Sequence, residues 1–140
     1  MKRRGRLVER LARELPVWAG DLADLRGVCF VGSYAYRRPR MSSDVDLALL
    51  SNSPTRYGAW LGVDSPLRPA HLLLTRMWGP VTELRFRHRS GLQFEVGVTT
   101  PARADTDPLD LGTARVIGDG LRVLYDPDGI LTRAEHANRG

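Results

Sequence analysis

Leu7, Val8, Leu11 and Leu15 recur at intervals of three to four with Arg and Glu between them, a spacing that predicts an amphipathic helix over residues 4–15, closed by Pro16. Beyond the proline, Trp18, Leu22 and Leu25 predict a further helical turn or two. The run "GVCFVGS" is short, continuously apolar and ended by glycine, which predicts a buried strand and a tight turn. A polar, basic loop follows over Tyr34–Ser43, then "DVDLALL", a strand in which Asp44, Asp46 and Ala48 point one way and Val45, Leu47 and Leu49 the other. Ser51–Pro69, rich in Ser, Pro and Gly, reads as a loop with a helical turn around Tyr57–Leu61. Three strands are then predicted, His71–Met77, Val81–Arg89 and Leu92–Val98, the last two joined by a hairpin turn at Ser90-Gly91. Leu84 and Phe86 face opposite to Glu83, Arg85 and Arg87; Phe94, Val96 and Val98 face opposite to Gln93, Glu95 and Gly97. Thr100–Gly112 reads as a Pro/Asp-rich loop, "ARVIGDGLRVLY" as a hairpin around Gly118-Asp119-Gly120, and Asp126 as the cap of a closing helix over Gly129–Asn138.

One helix, one strand and then hairpin-linked strands with a final helix do not alternate as βαβ units, so the pattern predicts an α+β domain with a mixed β-sheet and flanking helices. A chain of 140 residues suits a single domain over 1–140. No apolar run reaches the ~18 residues of a membrane span, and the basic N-terminus leads into no signal-type segment, so a soluble cytoplasmic protein is expected. Cys29 is the single cysteine and sits in an apolar run, as a small core residue would. The net charge of +5 raises the question of a polyanionic partner, although only "MKRRGR" and "RRPR" are local basic clusters.

Asp-x-Asp occurs three times. Asp105 and Asp107 precede Pro108 in a loop and Asp126 and Asp128 flank Pro127, where turn chemistry and capping explain them. Asp44 and Asp46 instead lie on a strand among aliphatic residues, two like charges ~7 Å apart on one face. Such a pair calls for a compensating cation, and magnesium is the usual one where a phosphate-bearing substrate completes the shell. Glu95 repeats the arrangement on a later strand, so three carboxylates converge if the two strands are neighbours. Three acids and two metal ions suffice for in-line phosphoryl or nucleotidyl transfer. Gly32-Ser33, at the end of a strand, has the small backbone and hydroxyl that bind phosphate oxygens. It belongs to no Walker A loop and no nucleophile elbow. His71, His88 and His136 show no ligand spacing, and "GDGLRV" lacks the last glycine and the helix of a dinucleotide site.

Gly-Ser, ten residues, then Asp-x-Asp on the next strand and a later isolated acid together resemble the nucleotidyltransferase superfamily of DNA polymerase β, particularly its small stand-alone bacterial members. The resemblance covers Val31 to Glu95, and the tail "GTARVIGDGLRVLYDPDGIL" is similar to the C-terminal strand and helix of some small members. It implies a nucleotidyltransferase fold and the Mg-dependent transfer of a nucleoside monophosphate, AMP from ATP, to a hydroxyl of an RNA, a protein or a small molecule. Asp44 and Asp46 are implied as ligands of two Mg ions, Glu95 as a further ligand and acceptor of the hydroxyl proton, and Gly32 and Ser33 as contacts to the β- and γ-phosphates. Many members read Gly-Ser-x-Ala-Arg-Gly where this chain reads Gly-Ser-Tyr-Ala-Tyr-Arg, so Arg37 or Arg38 is the implied triphosphate arginine. No separate acceptor pocket is legible, which leaves the acceptor to a partner or to a second copy of the chain. Two other readings stand beside this one: a nucleotidyltransferase-like antitoxin that binds a toxin-like partner protein, and a nucleic-acid binder working through the basic clusters.

Overall fold

The computed structural model describes residues 2–31, 45–106 and 121–139. They form an α+β fold in which a six-stranded mixed sheet carries three helices. In chain order the elements are α1 (Lys2–Gly20), β1 (Leu25–Val31), β2 (Val45–Ser51), β3 (Ala70–Trp78), β4 (Val81–His88), β5 (Gln93–Thr99), α2 (Pro101–Thr106), β6 (Leu121–Tyr125) and α3 (Ile130–Arg139). The sheet order is β3-β4-β5-β2-β1-β6. β2 and β5 pair in parallel at its centre, and every other pair is antiparallel.

The helix predicted to stop at Pro16 runs through it to Gly20. A proline inside a helix removes one hydrogen bond and costs about 3 kcal/mol, but Leu15 and Ala19, on either side of it, are fully buried on the sheet. Their packing outweighs the local penalty. Leu25 is not part of that helix; it opens β1, where it is buried beside Ser51 of β2. The loop expected at Thr100–Gly112 contains α2, because Thr100 Oγ1 accepts a hydrogen bond from Arg103 N–H and Pro101 occupies the first helical position. Ser51–Pro69 carries two 3₁₀ turns, Pro54–Arg56 and Ala59–Gly62, the second where a helical turn was expected.

Strands β3, β4 and β5 lie within a residue of their predicted limits. Gly91, with φ of +93°, makes the turn between β4 and β5, and Ser90 Oγ accepts from Leu92 N–H. Asp126 caps α3: its carboxylate accepts the backbone N–H groups of Leu131 and Thr132 at 3.1 and 3.0 Å. β6 is the second half of the hairpin expected around Gly118-Asp119-Gly120; the first half and its turn lie outside the described residues. Within the described residues β6 pairs with β1.

The sheet has two apolar faces of unequal extent. On one, Val8, Leu11, Leu15 and Ala19 of α1 pack over Val28, Phe30, Leu47, Leu49, Phe94 and Val96. On the other, α2 and α3 bring Ala104, Ile130, Leu131 and Ala134 onto Cys29, Val31, Ala48 and Leu50. Every residue of β2 is therefore buried, as a central strand with both faces covered requires. Burial pushes the Cys29 thiol up to about 12, which fits an inert core residue. Among the described residues no helix is long and apolar enough to cross a membrane.

Two glycines predict opposite outcomes. A Cβ at Gly62 would lie 2.0 Å from the Ala70 carbonyl oxygen, a contact with backbone that cannot yield. Gly5, within α1, has open space around it. Denaturant titration should show Gly62→Ala losing about 2 kcal/mol or more, and Gly5→Ala gaining about 0.5–1 kcal/mol from its better helix propensity.

Candidate functional site

Alternation along β2 puts Asp46 on the same face as Ala48 and Leu50, the side covered by α2 and α3. On β5, Phe94, Val96 and Val98 fill the α1 core, so Glu95 is turned to that same opposite side. The parallel register then sets Asp46 directly beside Glu95. Neighbouring strands are ~4.8 Å apart, and adjacent like charges on them repel. Both acids are nonetheless buried, with 7% and 9% of their surfaces exposed.

The row through these residues crosses the sheet as Leu121, Val31, Asp46, Glu95, Arg85 and Leu74. Its β6 and β1 end is apolar and its β4 side cationic. Arg85 Nη2 donates to Glu95 Oε1 in an ion pair between directly opposed residues. The next row, toward the C-terminal end of β5, carries Gly97, Glu83 and Arg76, and the preceding one carries Gln93, Arg87 and His71. The β3–β5 half of this face is therefore a polar surface beside the two acids, with His71, Arg76 and Arg87 exposed.

Of the residues singled out in the sequence, Asp46 and Glu95 are brought together. Gly32, Ser33, Arg37, Arg38 and Asp44 lie outside the described residues. Among the described residues no group of three or more His, Cys, Asp or Glu is arranged to hold a metal ion. Asp46 and Glu95 are neighbouring carboxylate oxygen donors, the ligand type that a hard cation takes. Arg85 was the residue that sequence reasoning passed over. Its signal was partial: a two-residue turn at Ser90-Gly91 would match Glu95 with Phe86, whereas the observed turn is one residue longer and pairs residues whose numbers sum to 180, Arg85 with Glu95.

A second polar centre went unread. Asp24, in the turn between α1 and β1, accepts from Ser51 Oγ at 2.6 Å, Tyr57 Oη at 2.7 Å and Arg56 Nη1 at 2.5 Å. Its backbone carbonyl accepts from Asn52 N–H at 2.8 Å. The Arg56 guanidinium also lies over the rings of Tyr57 and Trp60, and Trp60 stands 6.4 Å from Trp18 between ring centroids. Burial opposes ionisation of Asp24, but the hydrogen bonds from Ser51, Tyr57 and Arg56 outweigh it and hold the carboxyl below its ordinary range. Burial, with Asp24 beside it, pushes the Tyr57 phenol up. The centre ties the segment after β2 to the end of α1, and its role is structural.

Because the folded-state value of Asp24 is depressed, its contribution to stability is complete above the ordinary value near 3.9 and is lost as pH falls through the folded value. Asp24→Asn should therefore cost about 1–3 kcal/mol at neutral pH, and denaturant titrations repeated toward pH 3 should show the difference from the parent chain shrinking. No protein-family model matches the chain, and no curated protein matches it.

Proposed function

We propose that the chain is a Mg-dependent nucleotidyltransferase of the DNA polymerase β type, moving AMP from ATP to a hydroxyl of an RNA, a protein or a small molecule. The observation that carries the reading is the in-register placement of Asp46 beside Glu95 on buried parallel strands. Gly32-Ser33 immediately after β1 and Asp44 immediately before β2 add to it as sequence. The mixed sheet with helices on both faces suits a nucleotidyltransferase fold.

In this reading Asp44, Asp46 and Glu95 hold magnesium, which when bound neutralises the triphosphate and sharpens the electrophilicity of its α-phosphorus. Gly32 and Ser33 bind the β- and γ-phosphates through backbone N–H groups and the hydroxyl, and Arg37 or Arg38 supplies further positive charge. The acceptor oxygen forms its bond to the α-phosphorus while the bond to the bridging oxygen of pyrophosphate breaks. Glu95 takes the acceptor proton on a carboxylate oxygen, and Arg85, paired with it, orients that carboxylate. Buried carboxylates reorganise little as charge shifts, which is the advantage of building the site on strands.

The Arg85–Glu95 ion pair favours a second reading as well, because it compensates the acid without a metal. A nucleotidyltransferase-like domain of that kind would bind a partner, as an antitoxin binds its toxin, and transfer nothing.

The two readings separate by incubating the chain with α-labelled ATP and Mg in a cell extract. Transfer to RNA, protein or a small molecule is expected, reduced roughly 10²–10³-fold or more by Asp46→Asn or Glu95→Gln. Absence of label in every fraction with all four NTPs would leave the inactive, partner-binding domain.

A further inference from the structure

On α1, Arg6, Arg10 and Arg13 fall within ~60° of arc at 100° per residue, so they form one stripe along the helix. Two further arginines stand beside its middle. Arg10 Nη2 donates to the Pro66 carbonyl at 3.3 Å, and Arg68 Nη1 donates to the adjacent Ser65 carbonyl at 3.0 Å, so both guanidinium groups are fastened to one short stretch of backbone. Arg89 joins the same segment through its backbone N–H, which donates to the Pro69 carbonyl at 3.0 Å. His88 lies between them: burial, then the nearby charges of Arg10 and Arg89, push its imidazole below the ordinary value.

None of these five arginines makes an ion pair with a carboxylate among the described residues. Glu14 stands one turn from Arg10 and makes none with it. Four of the five are exposed and Arg10 is half-buried. The contrast with other arginines is direct, since Arg26, Arg56, Arg85, Arg122 and Arg133 each meet an Asp or Glu. Like charges gathered without counter-charge repel, and here neutral carbonyls fix two of them in place while leaving their charge uncancelled.

We infer that Arg6, Arg10, Arg13, Arg68 and Arg89 form a docking surface for a nucleic-acid strand, which they hold through its phosphodiester groups. A guanidinium presents a planar fork of donors that matches phosphate oxygens, and two forks already anchored to backbone lose less freedom on binding than free side chains do. A row of separate guanidiniums along a helix suits a row of separate phosphates better than one compact anion. The surface lies on the α1 side of the sheet, whereas Asp46 and Glu95 lie on the α2 and α3 side, so the inference does not rest on the nucleotidyl-transfer reading. It also differs from an attachment through "MKRRGR" or "RRPR" alone, since four of its five residues lie outside both.

The test is fluorescence anisotropy of the full chain with a labelled single-stranded RNA and its DNA counterpart, titrated over a range of salt. The logarithm of the association constant should fall linearly with the logarithm of salt, with a slope of about −0.7 for each phosphate neutralised on a single strand. The triple variant Arg6→Gln, Arg13→Gln, Arg89→Gln changes only exposed side chains and should make the slope shallower by about 2. Asp46→Asn should leave it unchanged. An unaltered slope in the triple variant would overturn the assignment. So would displacement of the RNA by inorganic phosphate at equal phosphate concentration, which would mark a site for free anions, or equal competition by polyglutamate, which would mark an acidic protein partner.

Discussion

Two carboxylates held side by side on the central parallel strands are the constraint from which the rest of this molecule is best understood. Asp46 and Glu95 are in register and buried, and neighbouring like charges in such a place are unfavourable unless positive charge accompanies them. Arg85, opposite Glu95 on the third strand of the same row, supplies part of it. A sheet selected for stability alone would carry aliphatic residues here, as β2 does at every other position except its terminal Ser51. The acids thus stand out as the feature that packing does not account for.

The surrounding architecture divides the labour between the faces. α1 covers one face with a continuous apolar core, and that core fixes the register of β2 and β5 through Leu47, Leu49, Phe94, Val96 and Val98. A slip of one residue would turn these inward-facing side chains to the other side, so the α1 core is also what keeps Asp46 beside Glu95. On the opposite face α2 and α3 cover β1, β2 and β6, while arginines, Glu83 and His71 occupy β3 and β4. The acids sit at the boundary between the apolar and the charged halves of that face.

Much of this was legible in the chain. β4 and β5 were readable because their alternation is clean and Gly91 marks the turn, but a two-residue turn at Ser90-Gly91 would set Phe86 opposite Glu95, so the pairing of Arg85 with Glu95 rests on the longer turn that the structure shows. The adjacency of β2 and β5 was not readable, because parallel strands are joined by a long crossover and local pattern carries no information about which strands meet. Pro16 misled for a physical reason: propensity is local, while Leu15 and Ala19 answer to a sheet distant in sequence. α2 is six residues long and rich in residues that usually mark loops, so only its Thr100-Pro101 start could have disclosed it. Asp24 gave no sign at all, since Ser51 and Tyr57, which complete its shell, lie 27 and 33 residues away.

In the reading proposed above, Asp46 and Glu95 are neighbours because they share a cation in the working protein. A ligand that binds the folded chain and not the unfolded one raises stability by an amount set by its concentration relative to its dissociation constant, about 2.7 kcal/mol at a hundredfold excess. The direct measurement is thermal unfolding of the full chain with Mg and a non-hydrolysable ATP analogue, beside the same experiment on Asp46→Asn. A rise in Tm with increasing Mg is expected in the parent chain and is lost in the variant. An equal rise in both, or none in either, would contradict it.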